Sequence, residues 1–426
     1  MNSEINISAW HREREGGDAA AKIFNFQNLY KAYISCRRHK RNTYHAAEFE
    51  VNYESELLKL EEELQDHNYK LGRSICFVVK EPSLREIFAA TFRDRVVHHL
   101  LYNFLEPVFE PIFIDHSYAC RKDKGIHESL KYLRLYLRKI TKNYHRKAYF
   151  LHLDIKAFFM SLHKQTLFDL ISKKIKNPEL LWLTRIIIFN DPIKKFVSKG
   201  NRLLFKKIPP YKSLFHVPET QGLPIGNLTS QFFANVYLNK LDQFVKHKLK
   251  AKYYLRYVDD FMLISDSQKQ LEEWRSAIIL FLKEHLQLEL NPKKQILEAT
   301  DAGIDWLGYI VKPNHILIRR RIVKTLKKKL FQMNQMLEKY FCATANGQLL
   351  LSPFVKDPPL ETIEKMLATT NAYFGHFQHA DTFRLRTHLW QNRFGKLKDW
   401  IEPKDDTLEC LQIKTDFLER VGRAGG

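Results

Sequence analysis

The segment YLRYVDDFMLIS at 254–265 places two adjacent carboxylates, Asp259 and Asp260, inside an otherwise β-type apolar run. A tight turn between two strands fits that pattern, with the acidic pair at its tip. Two carboxylates crowded beside apolar strands are costly unless a cation compensates them, so the pattern suggests a metal. The plainer alternative is a solvated turn, because Asp is common in turns. A third carboxylate, Asp154, follows the β-type run of AYFLHLDIKAFF at 148–159 and is itself followed by Phe158 and Phe159. Carboxylates at the ends of neighbouring strands can meet. Three oxygen ligands suit Mg²⁺, which takes a few protein carboxylates together with water and substrate phosphates. Two such ions would match two-metal phosphoryl transfer, one activating an attacking hydroxyl and the other neutralising the leaving group.

Bulk properties agree with a phosphate-rich partner. Lys and Arg outnumber Asp and Glu by 69 to 48, a net charge of +21 over 426 residues, and this favours a polyanion over an acidic small molecule. An anionic membrane surface or simple solubility is the alternative explanation of that charge. With 45% apolar residues the chain is long enough to bury a core without disulfide staples. Cys36, Cys76, Cys120, Cys342 and Cys410 are widely spaced, with no zinc-ligand pattern. The N-terminal MNSEINISAWHRERE lacks the apolar region of a secretory signal, and no apolar run approaches the roughly 18 residues that span a bilayer. The expectation is a cytoplasmic protein with no membrane partner.

Periodicity divides the chain into three regions. Residues 20 to about 145 read as mainly helical, with helical spacing at Phe24–Ile34, Phe49–Leu64 and Ile87–Leu105, interrupted by the β-rich SICFVV at 74–79. Residues 146–311 alternate β-type and helical runs, as in a sheet packed on helices. From about 312 the chain reads as helical. It opens with a basic amphipathic helix whose apolar stripe is Ile322, Leu326, Leu330, Met333 and Leu337. The turn-rich PPYKSLFHVPET at 209–220 reads as a loop or short hairpin.

In order along the chain, LDIKAFF (153–159), QGLPIGNLTSQ (221–231), YVDD (257–260), LNPKK (290–294) and WLGY (306–309) resemble palm motifs A to E of reverse transcriptases. Upstream, LREIFAATFRDRVVHHLL and HSYACRKDKGIHESL resemble the fingers of bacterial group II intron and retron enzymes. The resemblance implies an α+β right-hand polymerase fold. Its expected parts are an N-terminal helical extension (1–74), fingers (75–150), palm with part of the fingers (151–311) and helical thumb (312–426). It departs from group II intron and retron enzymes at Ser230-Gln231, where those usually read SP. The strings IGNLTSQ and SYACRKDKG look most like reverse transcriptases of diversity-generating retroelements and of related groups in phage defence.

The resemblance also assigns roles. Asp154, Asp259 and Asp260 would hold the two Mg²⁺ ions. Phe159 stands where reverse transcriptases place a ring against the sugar of the incoming nucleotide, which would exclude a 2′-hydroxyl by clash. The alternative is that Phe158 and Phe159 are core aromatics, at least one of them turned inward if both lie on a strand. Gln221 would contact the nascent base pair and Gly222 the template–primer, with the polar 227–230 segment opening the next helix. Arg121, Lys122 and Lys124 are candidates to bind the dNTP triphosphate, Arg121 first among them, against the alternative of a solvated basic loop. Of Lys293 and Lys294, Lys294 is the expected general acid. Trp306, Gly308 and Tyr309 resemble a primer grip, or else form a plain buried strand. Arg320, Lys324 and Lys328 of the basic helix would meet template–primer phosphates. The stretch NAYFGHFQHADTFRLRTHLWQNRF at 371–394 suits either stacking on unpaired bases or the thumb's own core.

No RNase H or Cys/His endonuclease pattern follows the palm motifs. The implied activity is RNA-directed DNA synthesis, from dNTPs and a dedicated, structured non-coding RNA template, yielding cDNA in antiphage defence. The other readings are a diversity-generating enzyme, a synthesiser that needs no conventional primer, and a degenerate RNA-binding module, against which the intact aspartates speak.

Overall fold

The computed structural model describes residues 23–38, 43–80, 83–340 and 357–423. Cys342 and the N-terminal segment 1–15 therefore lie outside the described residues. No helix among those described is long and apolar enough to cross a membrane. Cys76, Cys120 and Cys410 are free thiols.

The chain forms two compact units, each discontinuous in sequence. The first comprises Met1–Gly125, Leu151–Leu263 and Lys269–Ile296, and the second Ile126–Phe150, Ile264–Gln268 and Leu297–Gly426.

The first unit begins with helices Phe26–Arg37, Tyr44–Val51 and Tyr53–Gln65. The expected helix over Phe49–Leu64 is thus two helices broken at Asn52, whose backbone N–H closes back on Phe49. Strand β1 (Ser74–Val79) coincides with the β-rich SICFVV. It pairs antiparallel with β2 (Arg85–Ala89). The expected helical run from Ile87 needs correction here, because pairing with β1 claims 85–89. The helix instead starts at Phe92, where the Thr91 hydroxyl accepts from the Asp94 N–H as N-cap. Tertiary strand pairing overrides a local apolar spacing that suits either element.

Strand β3 (Tyr149–Ile155) ends in Asp154 and Ile155. Helices Lys164–Ser172 and Pro178–Phe189 follow, and β4 (Phe196–Ser198) joins β1 in parallel. Residues 210–212 and 214–216 are single 3₁₀ turns, in keeping with the loop expected at 209–220. The helix Leu228–Gln243 is buried on nearly every side. Strands β5 (Tyr253–Tyr257) and β6 (Asp260–Ser265) form a hairpin with the two-residue turn Val258–Asp259. With β7 (Leu290–Ala299) they build a four-stranded sheet in the order β5-β6-β3-β7, which sets the Asp154 strand beside the Asp260 strand.

In the second unit, β8 (Ile304–Trp306), β9 (Tyr309–Val311) and β10 (Ile316–Ile318) form an antiparallel meander. The basic helix Arg320–Leu337 buries Leu326, Leu330, Met333 and Leu337, the expected stripe apart from half-buried Ile322. Helices Leu360–Phe377 and Phe383–Arg393 contribute Phe374, Phe377 and Leu389 to the core. The C-terminal region is not wholly helical as expected, since β11 (Ile401–Pro403) and β12 (Leu411–Ile413) pair antiparallel before the helix Thr415–Arg423. Antiparallel pairs and helices together give the expected α+β class.

Candidate active site

Three carboxylates from separate stretches of the first unit come together at one end of the four-stranded sheet. Asp154 is 6% exposed at the end of β3. The backbone N–H of the next residue, Ile155, donates to the Asp259 carbonyl at 3.2 Å, which ties the β3 end to the hairpin turn. Asp260 opens β6, and its Oδ1 accepts from His152 Nε2 at 3.3 Å. Lys294 bridges the group: its ammonium lies 2.8 Å from Asp154 Oδ1 and 3.7 Å from Asp260 Oδ1. Asn291 Nδ2 donates to the other Asp154 oxygen at 2.8 Å. Motif D thus supplies two partners to the motif A aspartate, while Lys293 is exposed and only its backbone N–H bonds to Asn291. Of the two lysines, the structure thus brings Lys294 to the aspartates.

The electrostatics of the cluster follow from crowding. Burial, then the charges of Asp154 and Asp260, push the Asp259 carboxyl up to about 7. Asp260 moves the other way. Burial alone would raise it, but the His152 hydrogen bond and charge, with the Lys294 ammonium, outweigh burial and hold it below the usual carboxylate range. Lys294 is raised in turn, since the aspartates overcome the effect of its own partial burial. Among the described residues no three His, Cys, Asp or Glu side chains stand close enough to hold a metal ion as they are. Lys294 supplies positive charge there instead. The donor set still fits a divalent cation: the acidic ligands are oxygen only, and the elevated Asp259 marks negative charge that one ammonium does not relieve.

The turn that carries Asp259 is held from behind by residues that sequence reasoning missed. Val258 adopts φ +55°, an uncommon conformation for a β-branched residue. Its carbonyl accepts from Arg256 Nη1 at 3.0 Å. Arg256 is fully buried and grips Asp242 through Nε at 2.7 Å and Nη2 at 2.6 Å. The Tyr254 hydroxyl also donates to Asp242, at 2.8 Å. The available signal was a lone arginine in an apolar strand, which has to find a buried partner.

Phe159 lies on a short helix, Phe158–Ser161, entered through Ala157 at φ +47°. The strand geometry expected for Phe158 and Phe159 is therefore corrected. Phe158 is buried, whereas Phe159 is half-buried against a cluster that includes Cys76, Phe88, Met160 and Leu214. The Phe159 carbonyl accepts from Leu223 N–H at 2.8 Å, which joins motif A to motif B. Gln221 and Gly222 stand just before that contact. Gly222 has φ +81°, and a Cβ there would come within 2.8 Å of Leu214 Cδ1, so the position requires glycine. Asn227 precedes the Leu228–Gln243 helix as expected, but its side chain does not cap it; it accepts from the Ala90 N–H at 3.0 Å.

Arg121 is not free to bind a triphosphate. Its side chain is 5% exposed, paired with Glu110 at 2.7 Å, and donates to the Ile114 and Ser117 carbonyls. The expectation placed on it is corrected to a structural brace. Lys124 pairs with Asp115 at 3.6 Å, and Lys122 is exposed.

In the second unit, the Trp306 and Tyr309 side chains are buried rather than presented to a strand of nucleic acid. Trp306 Nε1 donates to Ser129 Oγ at 3.1 Å, and the Tyr309 hydroxyl meets His376 Nδ1 at 2.9 Å. Of the three expected grip residues, Gly308 alone belongs to the connecting turn, at φ +100°. Arg320, Lys324 and Lys328 are all exposed and recur every four residues along one face of the basic helix. In the 371–394 stretch, Phe374, Phe377, Leu389 and Phe394 are fully buried in the core, whereas Phe383 is exposed.

Comparison with known proteins agrees with the motif order. The family model for reverse transcriptase (RNA-dependent DNA polymerase) matches residues 78–311. The group II intron-encoded protein LtrA of Lactococcus lactis subsp. cremoris is 23% identical over 343 residues, covering 65% of this chain and 53% of LtrA. The chain thus spans about half the length of that relative. Protein YkfC of Escherichia coli strain K12 is 23% identical over 300 residues, covering 62% of this chain and 72% of YkfC. Among solved structures, apo telomerase from Candida tropicalis truncated from its C-terminal domain aligns with TM-score 0.44 at 12% identity, over 58% of this chain and 55% of that one. With the family model covering more than half its length, from the fingers motifs through WLGY, the chain belongs to the reverse transcriptase family.

Proposed function

We propose that the chain is an RNA-directed DNA polymerase that makes cDNA by two-metal-ion nucleotidyl transfer. The observation that carries this reading is the pairing of Lys294 with both Asp154 and Asp260, beside an Asp259 whose carbonyl is tied to the end of the Asp154 strand. Bound Mg²⁺ would supply activation of the primer 3′-hydroxyl and neutralisation of the departing pyrophosphate. Asp154, Asp259 and Asp260 are the residues to hold it. Lys294 would leave its carboxylate partners for the leaving group when the ions' charge replaces its own, and donate a proton there. Asn291 and His152 keep the Asp154 and Asp260 carboxylates oriented. Phe159 serves as the sugar gate and Lys122 as the remaining cation of the SYACRKDKG loop for the triphosphate. The exposed row Arg320, Lys324 and Lys328 meets template–primer phosphates without reading bases.

The template in this proposal is a dedicated structured non-coding RNA, and the setting is antiphage defence. Support comes from the IGNLTSQ and SYACRKDKG strings and from the net +21 charge. The same strings suit a diversity-generating retroelement, which sequencing of co-purified RNA would separate by revealing a variable-repeat template.

The test of the activity is incorporation of labelled dNTPs by purified protein with Mg²⁺ and its co-purifying RNA. Asp259→Ala with Asp260→Ala should abolish incorporation while RNA binding and thermal stability stay near wild type. Equal incorporation by wild type and this variant would defeat the assignment. Wild type that binds RNA but never incorporates dNTPs would leave only the RNA-binding module.

A further inference from the structure

Behind motif B, the first unit contains a cavity of about 300 Å³ that the catalytic reading does not use. Pro192, Ile193, Leu214 and Val217 give it apolar walls, and Gly222 closes one side. Lys164, on the first turn of the Lys164–Ser172 helix, also lines it. This lysine is 4% exposed as a whole residue, its side chain has no hydrogen bond or ion pair among the described residues, and its ammonium opens onto the cavity rather than being sealed in protein. The two carboxylates nearby do not serve it. Glu219 pairs with Lys194 at 2.7 Å, and Asp191 faces the same Lys194 at 3.8 Å. Burial accordingly lowers the Lys164 pKa, against the opposing influence of Asp191 and Glu219.

An ammonium that opens onto a cavity with largely apolar walls carries three donors, and it is disfavoured there unless an occupant of the cavity accepts from them. The helix N-terminus adds to the cost, since its dipole repels a cation. Methionine would fill the same volume with no such penalty, so packing does not account for a lysine here. The cavity is at the small end of ligand sites, and its walls suit a flat apolar body with acceptors on one edge. With Lys164 and Lys194 set against Asp191 and Glu219 the site is close to neutral, which favours an uncharged ligand with strong acceptors over a free anion. A nucleobase has that form: apolar faces, and carbonyl or ring-nitrogen acceptors at its rim.

We propose that this cavity receives one unpaired nucleobase of the template RNA, with the Lys164 ammonium donating to an acceptor on the base edge. The inference rests on the polymerase reading, which lays Gln221 and Gly222 along the template–primer. Held there, the base fixes the register of the template where it passes motif B.

The test compares the full-length wild type with Lys164→Met. Thermal melting comes first: Lys164→Met should match or exceed wild type, and a lower melting temperature would show a structural partner for Lys164 and overturn the proposal. Binding is then measured with template RNAs carrying one abasic site, moved along the unpaired region. Wild type should lose about 5- to 150-fold in affinity at one position, as expected for loss of one bound base. Lys164→Met should bind the intact RNA more weakly and show no dip at that position. A dip of equal depth in both proteins overturns the role of Lys164. Uniform weakening by Lys164→Met with the dip retained and a shallower salt dependence means a phosphate contact, and also overturns it. Primer extension on the intact template runs alongside. Failure of wild type to extend defeats the polymerase reading itself, whereas normal extension with no dip anywhere defeats this proposal alone.

Discussion

Arg256→Met tests whether the turn that carries Asp259 is held by the buried ion pair behind it. The substitution leaves the Asp242 carboxylate in a fully buried site with the Tyr254 hydroxyl as its remaining partner there. Stranding one member of a buried pair costs about 3–5 kcal/mol, so the midpoint of urea unfolding should fall markedly. The same change removes the donor to the Val258 carbonyl, and with it one restraint on the φ +55° turn. Stability and positioning are separated by Arg256→Met with Asp242→Leu and Tyr254→Phe, which replaces the ion pair and its tyrosine partner with apolar side chains and leaves Asn235 Oδ1 and the Val258 carbonyl without the Arg256 donor. That variant should recover most of the lost stability, because replacing a buried ion pair as a unit is often neutral or better. It should not recover activity. A hydrogen bond from a charged donor contributes about 1.5–3 kcal/mol, and if all of it acts in the transition state the rate falls roughly 10- to 150-fold. Single-turnover primer extension at saturating dNTP and Mg²⁺ reads this directly, with template affinity measured separately. A triple variant as stable as wild type that extends primers at the wild-type rate would refute the positioning role.

Two further expectations rest on single residues. Phe159→Ala should admit ribonucleotides, measured as the ratio of kcat/KM for dNTP over rNTP; an unchanged ratio would show that its half-buried ring does not gate the sugar. His98 is fully buried, with Nδ1 2.7 Å from Thr229 Oγ1, and burial, with His99 and Arg95, lowers its pKa from 6.5 to about 3. The unfolded chain therefore takes up a proton that the folded one refuses. Stability from this group is full above pH 6.5 and is lost as pH falls towards 3, by up to about 4–5 kcal/mol. His98→Gln should flatten that part of the profile in urea titrations between pH 7 and 4, and an unchanged slope would contradict it.

The three aspartates were legible in sequence through the family order of the motifs that hold them. A pair of carboxylates between β-type runs also suits a solvated turn, but LDIKAFF precedes it and LNPKK and WLGY follow in family order. Strand β3 and the buried stripe of the basic helix were equally legible, since periods of two and of nearly four residues survive in any context. By contrast, 85–89 became a strand because β1 lay beside it, and Arg121 became a brace because Glu110 and two carbonyls surround it. Whether a charged side chain meets substrate or neighbour depends on what lies within a few ångströms, and sequence spacing does not carry that distance.

The sequence by itself determined the inventory: which acids and cations, in which order, on which kinds of element. Tertiary structure alone decided that Lys294 rather than Lys293 reaches Asp154, that Trp306 and Tyr309 turn inward, and that Lys164 opens onto a cavity with no side-chain partner among the described residues. The physical reason is that burial and pairing are properties of the surroundings, and distant segments supply those surroundings only once the chain has folded.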